Sequence, residues 1–425
     1  MEMLRNRSLA AVLCAELVSL TGSAMTFVAL PWFVLITTGS TARMGWVLAA
    51  ELLPVGLLGI PAGSLIARLG AKRTMNLADA VRAPLMTGIP ILHWTGHLHF
   101  GLLLGFTFLL GCFTAPYYAS SRLILPEVLG DDEQLVAQGS AFVQAATQLT
   151  QLGGPLLGGL LISWLSAPSV LLVDAATYAF SFVVIATFVR AGGRVPGDES
   201  SRGLFAGLRY VVRDRLLGPL LAAAAFVNFS AQGLFAMLPV LVVRRFDEDA
   251  TILGFLFASF GAGALVGSLA AAQIVRRVKL TTLAGAAILG MAVPLWLLAI
   301  TLPWPAVMVV LAAFGACAPL VNAPVLAILT VRAPEALRPK VMTAVMTISV
   351  VIGPLGFLAV GQALQHVGMR VVFLAIAAGF TAAAVAFSGA VRREDSAGEE
   401  EGDAIPAADL APVLPAEPRA DRVAT

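Results

Sequence analysis

Long apolar runs alternate with short polar or charged clusters along nearly the whole chain, without the strict two-residue alternation of barrel strands. The runs are about 20 to 29 residues long, enough at about 1.5 Å per residue to cross a hydrocarbon core of about 30 Å as helices. Bounded by basic, acidic or Gly/Pro clusters, they predict twelve spans, at residues 9–37, 43–66, 74–92, 99–121, 137–164, 168–189, 216–243, 251–275, 281–302, 304–331, 341–364 and 369–391. The first span is expected to be retained, because its apolar part exceeds a signal-peptide core and no small-residue cleavage pattern follows.

Composition agrees with that pattern. A chain of 425 residues with 59% hydrophobic and 12% charged residues, and a mean hydropathy of +0.89, has too little polar surface for a water-soluble globule. Cys14, Cys112 and Cys317 all lie in apolar segments without metal-ligand spacing, so neither a disulfide framework nor a metal centre is indicated. No phosphate-binding Gly-x-x-x-x-Gly-Lys-Ser/Thr occurs, which disfavours ATP hydrolysis, and no nucleophile and base recur as an enzyme constellation. His93, His97 and His99 share one connection, where solvated loop histidines outweigh a metal site. No cofactor is implied.

Charge orients the spans. Alternate connections and the two termini carry 22 Lys and Arg on one side against four on the other, which predicts a multi-pass protein of the cytoplasmic membrane with both termini inside. The longest connection divides the chain into a six-helix bundle at 1–190, a linker at 191–215 and a second bundle at 216–391. The linker's Leu204–Arg215 segment is amphipathic, fitting either a helix on the inner membrane surface or an extension of the seventh span. Residues 392–425 are acidic and rich in Ala and Pro, and are expected to be a disordered tail.

The halves repeat. Gly63-Ser64-Leu65 returns as Gly267-Ser268-Leu269, Ala115-Pro116 as Ala318-Pro319 and Gly154-Pro155 as Gly353-Pro354, at nearly constant offset. Parallel repeats of this kind place two halves about an axis along the membrane normal, with substrate between them near the midplane. The fold expected is therefore an all-α membrane protein of twelve transmembrane helices in two parallel six-helix repeats.

Twelve spans in two such halves, with Gly63-Ser64-Leu65-Ile66-Ala67-Arg68-Leu69-Gly70-Ala71-Lys72-Arg73 between the second and third, resemble the major facilitator superfamily. Phe113–Pro116 through Leu125-Pro126-Glu127, Gln148–Gly159, Val173–Tyr178 and Gly207–Tyr210 narrow the likeness to the branch of macrolide-efflux proteins and the enterobactin exporter. The resemblance implies alternating access and an inner gate formed by the loop residues Gly63, Arg68, Gly70, Lys72 and Arg73, with Asp79 as an available carboxylate. Where the family loop carries an acid, this chain has Ala67. Lys72 and Arg73 are then left to dock on helix C-terminal carbonyls or on Asp79, or to act as topology signals alone. Gly154-Pro155-x-x-Gly158-Gly159 resembles the fifth-span motif of proton-coupled antiporters, with Thr150 where an earlier glycine would stand. Helix packing alone would also account for it.

Ionisable groups are costly in hydrocarbon, about 2.5 to 3.5 kcal/mol each on insertion scales, so the few present are the first functional suspects. They are Glu16, Glu51, Asp79, Asp174 and Arg82. Asp79 and Arg82 stand three apart and can pair, and Asp174 suits a structural role. Glu16, without an evident local partner, is the candidate for proton coupling, and Glu51 is the second. Gln144, Gln148 and Gln151 share one helical face, as do Asn228 and Gln232. With Asn322 and the aromatic residues Phe27, Trp32, Phe226, Phe229 and Phe235, they suit an amphiphilic ligand. The function expected is proton-driven export of small drug-, macrolide- or siderophore-like molecules. An importer of a small metabolite or a lipid flippase is the alternative. The expected partners are substrate, protons and membrane lipid, with no nucleic acid, and the chain is expected to act as a monomer.

Overall fold

The computed structural model describes residues 7–129, 133–189, 204–214, 217–335 and 337–403. Twelve long helices follow the predicted spans: α1 (Arg7–Thr38), α2 (Thr41–Leu69), α3 (Ala71–Trp94), α4 (Phe100–Leu129), α5 (Glu133–Leu165) and α6 (Ala167–Phe188), then α8 (Leu217–Arg245), α9 (Ala250–Ile274), α10 (Leu280–Leu295), α11 (Trp304–Arg332), α12 (Arg338–His366) and α13 (Met369–Asp403). The short α7 (Leu204–Arg213) follows the first six in the chain and packs on α12 and α8 of the second set. Ten of the long helices are apolar enough to cross a membrane by length and composition. The other two are α3, which carries the Asp79–Arg82 pair, and the glutamine-bearing α5.

Local chemistry sets the helix boundaries. Ser40 and Asp249 cap α2 and α9, accepting from the N–H groups of Arg43 and Thr251. Gly70 turns α2 into α3 at φ 83°, a left-handed value that a side chain rarely adopts. The ninth span was expected as one run, yet α10 tightens into a 3₁₀ turn at Trp296–Ala299. Pro294 lies inside α10, two residues before this turn. At the other extreme α13 runs to Asp403, past the boundary expected at 391; the remaining tail, 404–425, lies outside the described residues, as do linker positions 191–203 and 215.

The two halves pack by one scheme. In the N-terminal bundle α1 packs on α5 and α6, α2 on α4, and α3 on α4 and α6. In the C-terminal bundle α8 packs on α12 and α13, α9 on α11, and α10 on α11 and α13. Between the bundles, the second helix of each half meets the fifth of the other: α2 lies on α12 and α5 on α9. In bundles of this kind contact comes from close packing, because lipid is as apolar as the side chains it would be exchanged for.

Candidate functional site

Both inter-bundle contacts run from the end where α1 finishes and α2 begins toward the middle of the helices, as far as Gly56 against Val351 and Gly261 against Leu152. On α2 and α12, Thr41 Oγ1 donates to the Gly361 carbonyl (2.9 Å), and a methyl on Gly45 would come 2.6 Å from the Phe357 carbonyl oxygen. On α5 and α9, a methyl on Gly159 would come 2.6 Å from both the Ala250 carbonyl oxygen and Gly254 Cα, and the Ser163 and Thr251 hydroxyls stand 2.7 Å apart. Glycine is required at these points because backbone touches backbone. The motif on α5 is thus divided between two neighbours: Gly154 and Gly158 seat α1 at Ala24 and Met25, while Gly159 reaches the other bundle. Pro155 is buried within this packing, and Thr150 bonds its own helix at the Thr147 carbonyl.

Beyond those points, toward the end at which α1 starts, exposed polar residues mark a cleft between the bundles. Gln144, Gln148, Gln151 and Pro155 repeat at i, i+4, i+7 and i+11, so the glutamines continue the face on which Pro155 and Gly159 meet α9. All three glutamines are exposed, although at Gln151 the backbone still faces α9, where a methyl on Gly261 would stand 3.5 Å from the Gln151 carbonyl oxygen. Asn228, Gln232 and Phe235 share a face of α8 by the same spacing. Gln232 packs on Gly353, which also lies beside Leu52 of α2, so it sits where three helices from both bundles meet. Asn322 is exposed on α11, seven residues beyond Gly315, whose face packs on α9.

An aromatic cluster roofs this cleft. Phe27 of α1 meets Phe235 and Phe257 with ring centroids 6.3 and 5.6 Å apart, and Phe235 continues to Phe260 at 5.1 Å. Phe257 and Phe260, on α9, were not among the candidates from sequence, where nothing separated them from ordinary core. Three expected members fall elsewhere. Trp32 is buried in the core of the packed end. Phe226 stacks on Phe229 and packs against Gly379 of α13, and Phe229 lies over Gly356 of α12.

Glu16 lies on the same face of α1 as Phe27, about three turns closer to the open end. It is buried, at 4% exposure, next to Ser121 of α4, and its Oε2 has no hydrogen-bond partner among the described residues. Glu51 is half-buried on α2 with Asp174 as a charged neighbour, and its backbone carbonyl is tight against Gly111 of α4. Asp174 is tied in by Thr26 Oγ1 (2.6 Å) and Thr177 Oγ1 (3.1 Å), both donating to its carboxylate. Gly22 allows this approach, since a methyl there would collide with Asp174 and Thr177.

Asp79 does not serve the loop. It is fully buried and paired with Arg82, one turn along the same helix. Three residues separate the two, so this pairing forms within α3, whereas the loop cations stand at the helix end. The Arg82 guanidinium lies between the rings of Tyr117 (4.0 Å) and Tyr178 (4.3 Å), and desolvated contacts of this type contribute about 2 kcal/mol or more. Sequence reading missed both tyrosines, which lie 35 and 96 positions from Arg82 and carry no local signal.

The loop finds other partners. Lys72 Nζ donates to the carbonyls of Val189 (2.6 Å) and Ala186 (3.1 Å) at the C-terminus of α6, where carbonyls lack helical donors. Glu127 Oε1 accepts from the Ala71 N–H (2.9 Å) and so supplies an acid at the start of α3. Arg68 and Arg73 are exposed, and a methyl on Gly63 would meet nothing within 4 Å. His99 caps α4 by accepting the Leu102 N–H.

Known proteins share this organisation. The family model of the Major Facilitator Superfamily matches residues 12–356 and, in an overlapping match, 249–417. Multidrug efflux pump Tap of Mycobacterium tuberculosis is 26% identical over 381 residues, covering 86% of this chain and 89% of that protein. Macrolide efflux protein A of Streptococcus pyogenes is 22% identical over 258 residues, covering 60% of this chain and 63% of that one. Among solved structures, the nucleoside transporter NupG superposes with a TM-score of 0.76 at 12% identity, covering 90% and 98% of the two chains. The D-xylose-proton symporter superposes at 0.68 and 14%, covering 91% and 97%. These solved structures share the fold.

Proposed function

The chain belongs to the Major Facilitator Superfamily of transporters, and from that premise we propose that it exports small amphiphilic molecules by proton antiport. The carrying observation is an aromatic cluster that joins both bundles, neutral amides on both, and, on the α1 face that carries Phe27, a buried carboxyl, Glu16, with an oxygen unpaired among the described residues. Rings hold a broad apolar ligand without demanding one shape, and a few amides anchor its polar groups. The names of the multidrug and macrolide efflux relatives support the same substrate class.

The open end of the cleft is assigned to the cytoplasm, following the excess of Lys and Arg on that side, and the sealed end faces out. Export then begins from this inward-open arrangement and ends when the α2–α12 and α5–α9 seals part. Glu16 is proposed to carry the proton, because a carboxyl in low dielectric is cheaper neutral than charged and needs no cation when protonated. Glu51, nearer the sealed end, is proposed as the group exposed when the outer side opens. The Lys72 and Glu127 contacts hold the α2–α3 turn to its own bundle, so that the bundle rocks as one body.

Proteoliposomes with an imposed pH gradient test the proposal. With inward-facing cavities presented to the bath, lipophilic cations or macrolides are expected to accumulate in vesicles with an acidic lumen. Glu16→Gln is expected to retain downhill exchange and lose gradient-driven accumulation. Accumulation indifferent to the gradient, or undiminished in Glu16→Gln, overturns the coupling.

A further inference from the structure

We propose that the N-terminal bundle encloses a cluster of ordered water held by Glu16, Asp79, Arg82, Tyr117, Ser120 and Ser181, joining the carboxyl at the cleft to the ion pair inside the bundle. This goes beyond the export reading, which gives Glu16 a proton and assigns no role to Asp79, Arg82, Tyr117, Ser120 or Ser181.

The cluster follows from an accounting of polar atoms. Among the described residues, Glu16 Oε2, Asp79 Oδ2, Arg82 Nε, Tyr117 OH, Ser120 Oγ and Ser181 Oγ are all buried without a well-formed hydrogen bond. Their residues are between 0% and 4% exposed. Most buried polar atoms find a partner, and where protein supplies none an ordered water usually does. Isolated exceptions would be unremarkable, but Asp79, Arg82, Tyr117 and Ser181 converge from three helices, and Ser120 and Glu16 stand one turn from Tyr117 and from its neighbour Ser19.

The convergence has a pattern. Tyr117-x-x-Ser120 on α4 and Tyr178-x-x-Ser181 on α6 repeat one spacing, which sets each hydroxyl one turn beyond a ring that flanks Arg82. Tyr178 bonds Ser23 (3.1 Å), whereas the Tyr117 hydroxyl meets Ser19 and Ser181 without a well-formed bond among the described residues. The Tyr117 hydroxyl lies beside Ser19 and Ser181, and Ser181 lies beside Asp79. Ser19 stands one turn from Glu16 on α1. At about three bonds per buried water, six atoms call for about two waters. The groups offer both donors and acceptors, as water requires, and the Arg82 cation at the centre argues against a metal ion there.

Hydroxyl-radical footprinting in ¹⁸O-labelled water, on the full chain in nanodiscs, tests the site without reference to transport. Radicals formed on bound water oxidise the adjacent ring, so Tyr117 and Tyr178 are expected to be modified at least several-fold faster than Phe314 and Phe380, which are equally buried in the other bundle. In the doubly substituted Ser120→Ala, Ser181→Ala chain, modification of Tyr117 is expected to drop toward the phenylalanine level. Tyrosine modification no faster than at the two phenylalanines overturns the cluster, as does modification unaffected by the double substitution. Loss of proton coupling in the export assay would leave this result unchanged, so the two proposals fail separately.

Discussion

Adding one methyl group at Gly159 should open the sealed face. In Gly159→Ala the new carbon would stand 2.6 Å from the Ala250 carbonyl oxygen, 2.6 Å from Gly254 Cα and 2.7 Å from Gly254 N. All three are backbone atoms, so no rotamer change relieves the overlap, and α5 and α9 must separate until contact reaches the ordinary 3.4 Å. Overpacking of this kind costs about 1–3 kcal/mol, and only the sealed arrangement bears it. Alanine also raises helix propensity by about 1 kcal/mol, but α5 is helical in both arrangements and that gain cancels. The ratio of open to sealed molecules at this face should therefore rise about 5- to 150-fold. Gly153→Ala is the control, since a methyl there meets nothing within 4 Å. Spin labels at Thr37→Cys and Arg244→Cys, in a background lacking the three native cysteines, report the separation by pulsed electron resonance. A distance distribution for Gly159→Ala that matches Gly153→Ala would refute the close-packing account of the seal.

Three further outcomes follow from the polar contacts. Arg82→Met strands the buried Asp79 carboxylate and should destabilise the protein by about 3–5 kcal/mol, whereas adding Asp79→Leu should recover much of that loss; thermal unfolding in detergent measures both. Glu127→Ala removes the acceptor for the Ala71 N–H and should cost about 1 kcal/mol, while Glu127→Gln keeps an oxygen there and should cost less, measured the same way. Lys72→Met leaves the α6 carbonyls of Ala186 and Val189 without their donor. Hydrogen exchange at the end of α6 should then accelerate, by about tenfold for a loss of about 1.4 kcal/mol.

By itself the sequence determined the spans, the repeat and the pairing of Asp79 with Arg82, and left Lys72 open between helix-end carbonyls, Asp79 and a topology role. Each rests on a sum or a spacing within one segment: burying a run of apolar residues in hydrocarbon depends on the run alone, and residues three apart on a helix are neighbours in any fold. The tertiary structure decided which end of the cleft is sealed, that Gly159 meets α9 while Gly154 and Gly158 meet α1, that Tyr117 and Tyr178 enclose Arg82, and that Glu127 stands at the start of α3 where Ala67 offers no acid. It also moved Asp79 away from the loop and Trp32, Phe226 and Phe229 away from the aromatic roof. The physical reason is that an apolar side chain gains nothing by exchanging lipid for another helix. Which faces meet is therefore set by close packing and polar contacts between residues tens to hundreds of positions apart, and hydropathy along the chain does not record those partners.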